Sequence, residues 1–188
     1  MCVPVALMSE PEKAPRLLSD EQLAEIFRED VRPGLDRLSS QTSPHMVLLG
    51  GPQGSRKTML RTVVAEQLGL TDALLYDGDD HFALHPHYDA LALEHGVLEA
   101  ARLCGPDVDV IRDAILTEVL TRRLNVMFIG PYTAQEYTLG RVAAFRAEGY
   151  STELAYTALH PALTHVGVMD RHRRALSLAF NVAGHSTC

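Results

Sequence analysis

The chain has 188 residues, of which 46% are hydrophobic and 22% are charged, and its formal net charge is -7 at pH 7. This length and composition predict one globular domain with a single core. The acidic balance argues against nonspecific binding to nucleic acid or to an anionic membrane surface, because both would require clustered Lys and Arg side chains.

The first 17 residues mix Pro, Glu and Lys without periodicity, which predicts a flexible leader rather than a signal peptide. A capping-box pattern at Ser19 and Gln22 then begins an amphipathic helix, which is predicted to end near Pro33 and Gly34. No apolar run approaches the roughly 20 residues of a membrane-spanning helix, so we expect a cytoplasmic protein. Three widely spaced cysteines are expected to be free thiols: Cys2, Cys104 and Cys188.

Short apolar runs alternate with helical patterns along the rest of the chain. Strands are predicted in HMVLLG (45–50), ALLYDGDD (73–80), NVMFIG (125–130) and STELAYTAL (151–159). Helices are predicted after the first strand up to Gly69, across residues 88–124 with a break at CGPD (104–107), across TLGRVAAFRAEGY (138–150), and over residues 160–180. This alternation predicts an α/β fold in which helices cover both faces of a parallel sheet.

The first predicted strand is followed by GGPQGSRKT (50–58), which is close to the phosphate-loop pattern G-x-x-x-x-G-K-[ST]. In such a loop, backbone N–H groups and the positive end of the next helix hold nucleotide phosphates. We predict that Lys57 contacts the β and γ phosphates and that Thr58 ligates Mg²⁺. The predicted nucleotide-binding residues are Gly51, Pro52, Gln53, Gly54, Ser55, Arg56, Lys57 and Thr58.

Arg56 departs from this pattern, because it stands at the position of the second glycine. A side chain forced into a glycine conformation costs on the order of 1 kcal/mol or more. The guanidinium can fold outward or pair with a phosphate. The opposing interpretation is a glycine-rich turn that binds no nucleotide.

Acidic residues end the second predicted strand. Residues two apart on a strand share a face, so Asp77 and Asp79 are expected to point into one site and Asp80 away from it. Carboxylates at this edge of a parallel sheet can accept the proton of an attacking hydroxyl and help to hold Mg²⁺. The alternative interpretation is that these acidic residues only form a turn that ends the strand.

Two further clusters of polar residues allow two interpretations each. The histidines at 81, 85 and 87 are not expected to bind a metal, because Pro86 bends the segment and no cysteine is near. Cations late in the chain either neutralise charge on a transferred phosphoryl group or form a solvated helix face. These cations are Arg171, Arg173 and Arg174.

Together GGPQGSRKT, DGDDHFALHPHY and NVMFIGPYTAQEYTLGRVAAFRAEGY resemble the zeta toxin family, at family-like spacing from about residue 17 to Arg174. Members of that family are kinases of bacterial toxin–antitoxin systems, which phosphorylate UDP-N-acetylglucosamine with ATP and Mg²⁺ on a phosphate-loop nucleotide kinase fold. The resemblance implies a single kinase domain over residues 18–188 and an antitoxin partner that blocks the ATP site.

The resemblance also implies roles for individual residues. Lys57 and Thr58 would bind ATP and Mg²⁺, and Asp79 would be the base that activates the sugar hydroxyl. Asp113 matches an acidic substrate-binding residue if a gap of one residue is allowed, and Asp77 is expected to contact the substrate as well. Arg171 matches an arginine that stabilises the phosphates.

The chain departs from the family pattern at several functional positions. In the loop, Pro52 and Gln53 are exchanged and Arg56 replaces a glycine. Ile129 and Thr133 stand where the family has a glutamate and an arginine, and Phe82 stands near a position that is often basic. The chain is also expected to end sooner after Arg171 than members of the family do.

These departures leave two alternatives to a kinase that acts on UDP-N-acetylglucosamine. One is a catalytically inactive relative that retains the fold and some nucleotide binding. The other is a small-molecule kinase with a different acceptor, such as a nucleoside or an antibiotic hydroxyl, since fold does not choose among acceptors.

Overall fold

The computed structural model describes residues 14–52, 57–70, 72–130, 132, 135–158 and 169. These residues divide into two compact units. The first unit holds residues 14–33 and 79–115, and the second holds the described parts of 34–78 and 116–169. The single domain expected over residues 18–188 stays a prediction.

A parallel sheet forms the centre of the second unit. Its strands are β1 (His45–Gly50), β2 (Leu74–Asp77), β3 (Val126–Gly130) and β4 (Ser151–Tyr156). The strand order is β2-β3-β1-β4, and β1 pairs in parallel with both β3 and β4. The predicted parallel α/β arrangement is confirmed. Five of the six residues of β1 are buried, because neighbours flank both of its edges and side chains cover both faces.

The helix predicted over residues 160–180 lies outside the described residues, whereas the described helices follow the sequence pattern. They are α1 (Asp20–Ile26), α2 (Arg32–Leu35), α3 (Lys57–Leu68), α4 (Tyr88–His95), α5 (Val97–Arg122) and α6 (Gln135–Ala147). A π-helical turn (Phe27–Val31) joins α1 to α2, and a 3₁₀ segment (Asp80–Leu84) follows β2. The predicted capping box is present, since Ser19 and Gln22 each accept the backbone N–H of the other. Among the described helices, none is long and apolar enough to span a membrane.

The helix α5 contradicts one prediction. It runs unbroken through residues 104–107, and the interruption lies instead at Gly96, whose φ is 86°. Pro106 removes one backbone donor, but the buried neighbours Cys104, Asp107 and Val108 hold this turn of the helix in place. Cys104 is a free thiol, as expected, and burial raises its pKa.

The two faces of the sheet have different cores. On one face, α3 packs through Val64 against Val47, Leu49 and Met127. The other face carries a row of aromatic rings with centres 4.8 to 5.5 Å apart, formed by Tyr76, Phe128, Phe145 and Tyr150. This row packs α6 against β2 and β3. In open parallel sheets, ligands bind at the carboxyl ends of the strands, so a site is expected at that edge.

One buried carboxylate organises the first unit. Oδ2 of Asp107, on α5, accepts the backbone N–H groups of Leu17 at 2.8 Å and Leu18 at 3.2 Å. It also lies 3.2 Å from Nε2 of His85, and both side chains are fully buried. Nδ1 of His85 accepts the N–H of His87, so the proton of the neutral ring is on Nε2. Asp107 thus ties the segment before α1 and the turn before α4 to α5.

Another titratable side chain of this unit is that of His81. Burial, and then the positive charge of Arg112, lower the pKa of His81 from 6.5 to about 4. His81 lies in the 3₁₀ segment, two residues after Asp79.

Replacing Asp107 with alanine should destabilise the chain by roughly 3 kcal/mol, because it leaves buried donors without an acceptor. Asp109→Ala is the matched control on the same helix, since its half-exposed ion pair with Arg112 contributes less than about 1 kcal/mol. Urea denaturation followed by circular dichroism measures both. Equal losses in the two variants would contradict the anchoring role of Asp107.

We expect the free energy of unfolding to fall as the pH is lowered from 6.5 towards about 4, in part because of His81. In that window the unfolded chain binds a proton that the folded chain excludes, so stability is lost on acidification. His81→Gln should therefore show a weaker dependence of stability on pH than the wild type. Parallel pH profiles for wild type and His81→Gln would rule this out.

Candidate functional site

The phosphate-loop pattern lies between the central strand and a helix, as predicted. β1 ends at Gly50, Gly51 has a φ of 150° that suits glycine, and α3 begins at Lys57. Nζ of Lys57 donates hydrogen bonds to the carbonyl oxygens of Gly51 at 2.9 Å and Pro52 at 3.1 Å. The lysine ammonium therefore lies against the first carbonyl groups of the loop pattern.

Part of this loop lies outside the described residues. This holds for Gln53, Gly54, Ser55 and Arg56, and for the side chain of Thr58. The nucleotide-binding and Mg²⁺ roles of the loop residues stay predictions.

Two tyrosines that the sequence analysis missed lie against the end of β1. A Cβ atom at Gly50 would overlap the ring of Tyr156 and would approach Cδ2 of Tyr132 to 3.1 Å. The Tyr132 hydroxyl donates to the carbonyl oxygen of Phe128 at 2.6 Å, and burial raises its pKa. Position 50 therefore requires glycine, because the rings of Tyr156 and Tyr132 approach its backbone closely. These two rings border the beginning of the loop. The signal in the sequence was the strand-terminal glycine, which indicates that something packs closely against it.

Arg141 was also missed, because it was treated only as part of a helix. Its guanidinium lies over the rings of Phe128 and Tyr76, on the face of the sheet opposite α3. The signal was its position four residues before Phe145, which is 2% exposed, because residues at this spacing share one face of a helix. A cation on the buried stripe of a helix is uncommon and indicates a specific contact.

The acidic residues are placed differently from the strand prediction. β2 ends at Asp77, and Asp79 has helical backbone angles (φ -74°, ψ -33°) before the 3₁₀ segment. The alternation of a strand therefore does not extend to Asp79, and the argument that placed Asp77 and Asp79 on one strand face is wrong. Asp77 belongs to the second unit and is partly buried, whereas Asp79 belongs to the first unit and is exposed.

Asp113 lies on α5 in the first unit with an exposed side chain, beside Arg112. The Arg112 guanidinium is 5.0 Å from the ring centre of Phe82, and Phe82 stacks on Tyr88 at 5.2 Å. Arg112 also forms an ion pair of 3.2 Å with Asp109. A cation is thus held against Phe82, in the same unit as Asp79 and Asp113.

Ile129 belongs to the apolar side of the sheet. It packs against the cluster that includes Val47, Leu49 and Val64 beneath α3. Thr133 and the arginines at 171, 173 and 174 lie outside the described residues. Within the described ranges, no group of three or more His, Cys, Asp or Glu side chains is placed to hold a metal ion.

Known proteins resemble this chain along most of its length. The zeta toxin family model matches residues 32–179. Toxin zeta of Streptococcus pyogenes is 21% identical over 154 residues, which are 82% of this chain and 53% of that protein. Toxin zeta of Streptococcus agalactiae is 22% identical, over 78% of this chain and 52% of that protein. The chain thus spans about half the length of these curated relatives.

A solved structure from the PezAT chromosomal toxin-antitoxin system of Streptococcus pneumoniae has a TM-score of 0.77 and 20% sequence identity. The match covers 86% of this chain and 66% of that one. At this identity the likeness establishes the fold, which is a parallel sheet flanked by helices with the phosphate loop after its central strand. With the family model matched across residues 32–179, the chain belongs to the zeta toxin family and has its phosphate-loop kinase fold.

Proposed function

We propose that the protein is an ATP-dependent kinase that transfers the γ-phosphate of ATP to a hydroxyl of UDP-N-acetylglucosamine. The observation that supports it best is the position of Lys57, which starts α3 and reaches back to the carbonyl oxygens of Gly51 and Pro52. Lys57 is the first residue of α3, and its ammonium lies against the beginning of the loop pattern. This arrangement suits the phosphates of a nucleotide.

The residues of the loop suit Mg²⁺–ATP. The glycine conformation at Gly51 keeps a side chain away from the beginning of the loop, and Thr58 follows Lys57 in the first turn of α3. We assign the Thr58 hydroxyl as a ligand of Mg²⁺, which neutralises negative charge on the phosphates when it is bound.

In this proposal Asp79 accepts the proton of the acceptor hydroxyl. The hydroxyl oxygen forms a bond to the γ-phosphorus as the bond to the β–γ bridging oxygen breaks, and ADP leaves with that electron pair. Lys57 and Arg171 offset the charge that develops on the phosphoryl oxygens. Asp77 and Asp113 are assigned to the acceptor. The nature of the acceptor rests on the family resemblance, and another small molecule with a hydroxyl is the alternative.

A second candidate function is nucleotide binding without catalysis. Ile129 favours it, because it packs into the apolar cluster beneath α3 at a position where the family has a functional glutamate. Arg56 favours it as well, since it replaces a loop glycine. Each charge-stabilising group that is lost lowers the rate of transfer roughly 10²-fold or more.

We also propose an antitoxin as the protein partner, bound so that it blocks the ATP site. The solved structure of similar fold comes from a toxin-antitoxin system, which supports this proposal by analogy. The acidic chain, with its net charge of -7, supports no nucleic-acid or membrane partner.

Asp79→Asn should lower the rate of phosphate transfer to UDP-N-acetylglucosamine at least about 100-fold, because the general base is lost. Binding of Mg²⁺–ATP should be unchanged. Asp80→Asn is the matched control, since it removes the neighbouring exposed carboxylate and should retain the rate. Transfer of labelled γ-phosphate measures the rate and calorimetry measures binding. Equal activity of Asp79→Asn and wild type would exclude the proposed mechanism.

The kinase proposal predicts that the wild-type chain and Arg56→Gly both bind Mg²⁺–ATP in calorimetry. Lys57→Met should bind at least about 10-fold more weakly, because a charge-assisted contact to phosphate is lost. Binding by Arg56→Gly but not by the wild type would show that the Arg56 side chain blocks the nucleotide site. This result would favour the interpretation that the protein is a catalytically inactive relative. Circular dichroism of all three proteins checks that the fold is retained.

A further inference from the structure

Side chains from three elements of the first unit meet at Phe82. The Arg112 guanidinium, on α5, lies 5.0 Å from the centre of the Phe82 ring, which belongs to the 3₁₀ segment after β2. The ring of Tyr88, the first residue of α4, lies 5.2 Å from that of Phe82, and the two ring planes are 27° apart. Phe82 thus contacts a cation from one helix and a stacked aromatic ring from another, and both contacts are favourable.

Arg112 is held on its own helix and acts on the segment in two places. Its side chain is only 22% exposed, and its guanidinium forms an ion pair of 3.2 Å with Asp109, three residues earlier on α5. Besides the contact with Phe82, its positive charge lowers the pKa of the neighbouring His81, after the larger effect of burial, whereas Asp80 acts to raise that pKa. Arg112 therefore links α5 to two consecutive residues of the 3₁₀ segment.

The same segment sets the backbone of Asp79, the residue from which it begins. The N–H of Phe82 donates to the carbonyl oxygen of Asp79 at 3.3 Å, and the N–H of His85 donates to the carbonyl oxygen of Phe82 at 3.1 Å. A 3₁₀ segment this short closes few hydrogen bonds, and their geometry is poorer than in an α-helix, so contacts from other elements stabilise it. Contacts that hold Phe82 in place therefore also fix the backbone that carries the exposed Asp79 carboxylate.

We infer that Arg112 is a positioning residue for phosphate transfer, because it fixes the turn that carries Asp79 through its contact with Phe82. This inference rests on the proposed kinase function, in which Asp79 accepts the proton of the acceptor hydroxyl. A general base must lie within hydrogen-bonding distance of that proton, and a displacement of about 1 Å lowers a rate on the order of 10²-fold. Arg112 thus affects the rate through Asp79 and not through a contact with either substrate.

Arg112→Met, Arg112→Lys and Arg102→Met test the inference, each made in the wild type and in Asp79→Asn. Arg112→Met keeps the apolar stem and removes the planar cation, whereas Arg112→Lys keeps the charge. Arg102→Met is the matched control, because Arg102 is exposed on α5 and pairs with Glu99 at the same spacing of three residues. Transfer of labelled γ-phosphate to UDP-N-acetylglucosamine gives kcat, and calorimetry with Mg²⁺–ATP gives the fraction of protein that is competent to bind. Hydrogen exchange followed by NMR measures the protection of the Phe82 N–H.

Per binding-competent molecule, Arg112→Met should lower kcat about 10-fold or more, with partial recovery in Arg112→Lys and no change in Arg102→Met. In the Asp79→Asn chain, Arg112→Met should change the remaining rate less than about 2-fold, because the group through which it acts is already lost. The Phe82 N–H should exchange about 10-fold faster in Arg112→Met, whereas that of Val47, in the buried strand β1, should not change. A general loss of stability would instead accelerate exchange at both positions.

The inference is overturned if Arg112→Met retains the wild-type kcat, if it lowers the rate equally in the wild type and in Asp79→Asn, or if the exchange of the Phe82 N–H is unchanged. Should Arg112→Met fail to fold by circular dichroism, Arg112→Lys decides the question, because its smaller loss of kcat must also disappear in Asp79→Asn.

Failure of the kinase proposal gives a different result, in which the wild type transfers no phosphate. Faster exchange at the Phe82 N–H in Arg112→Met would then still show that Arg112 holds the turn of Asp79, and unchanged exchange would overturn that as well.

Discussion

The pairing of β1 with a parallel neighbour on each side is the constraint on which the rest of the second unit depends. It sets Gly50 opposite Gly130 of β3 and Tyr156 of β4, so the carboxyl ends of three strands coincide. A shift of one residue in this register would exchange the faces of every side chain on the strand. The position of the phosphate loop, the contact of two tyrosines with Gly50 and the separation of the two sheet faces all follow from this pairing.

Much of the fold could be predicted from local patterns. The apolar runs indicated all four strands, and Ser19 with Gln22 indicated the start of α1. These signals are local, because hydrophobic periodicity and capping depend on residues only a few positions apart. The break predicted at residues 104–107 failed because buried neighbours held the helix together through Pro106. Tertiary packing outweighed a local breaker there.

The candidate site was less predictable than the fold. The loop could be recognised because its glycines and Lys57 are contiguous in the sequence. Arg141 and Tyr132 left only indirect signals, the spacing to Phe145 and the glycine at the end of β1, because their relation to the sheet depends on contacts between separate elements. Asp79 was misplaced for a related reason, since the strand ended at Asp77, three residues before the end of the predicted strand.

In each unit, described separately, an arginine lies against an aromatic ring. Arg112 lies over Phe82 in the first unit, and Arg141 lies over Phe128 in the second. Such a contact holds a long side chain in place and reduces the entropy that is lost when a ligand binds. Both arginines come from helices rather than from loops, and Arg141 lies within the segment NVMFIGPYTAQEYTLGRVAAFRAEGY that resembles the family.

The packing of Ile129 makes the chemistry of its position difficult to restore. A glutamate introduced there would bring a carboxylate against the apolar side chains beneath α3, which disfavours its charged form to the extent that this partly buried position is shielded from water. The packing at this strand end thus couples any polar substitution at position 129 to the apolar residues beneath α3, such as Leu49 and Val64.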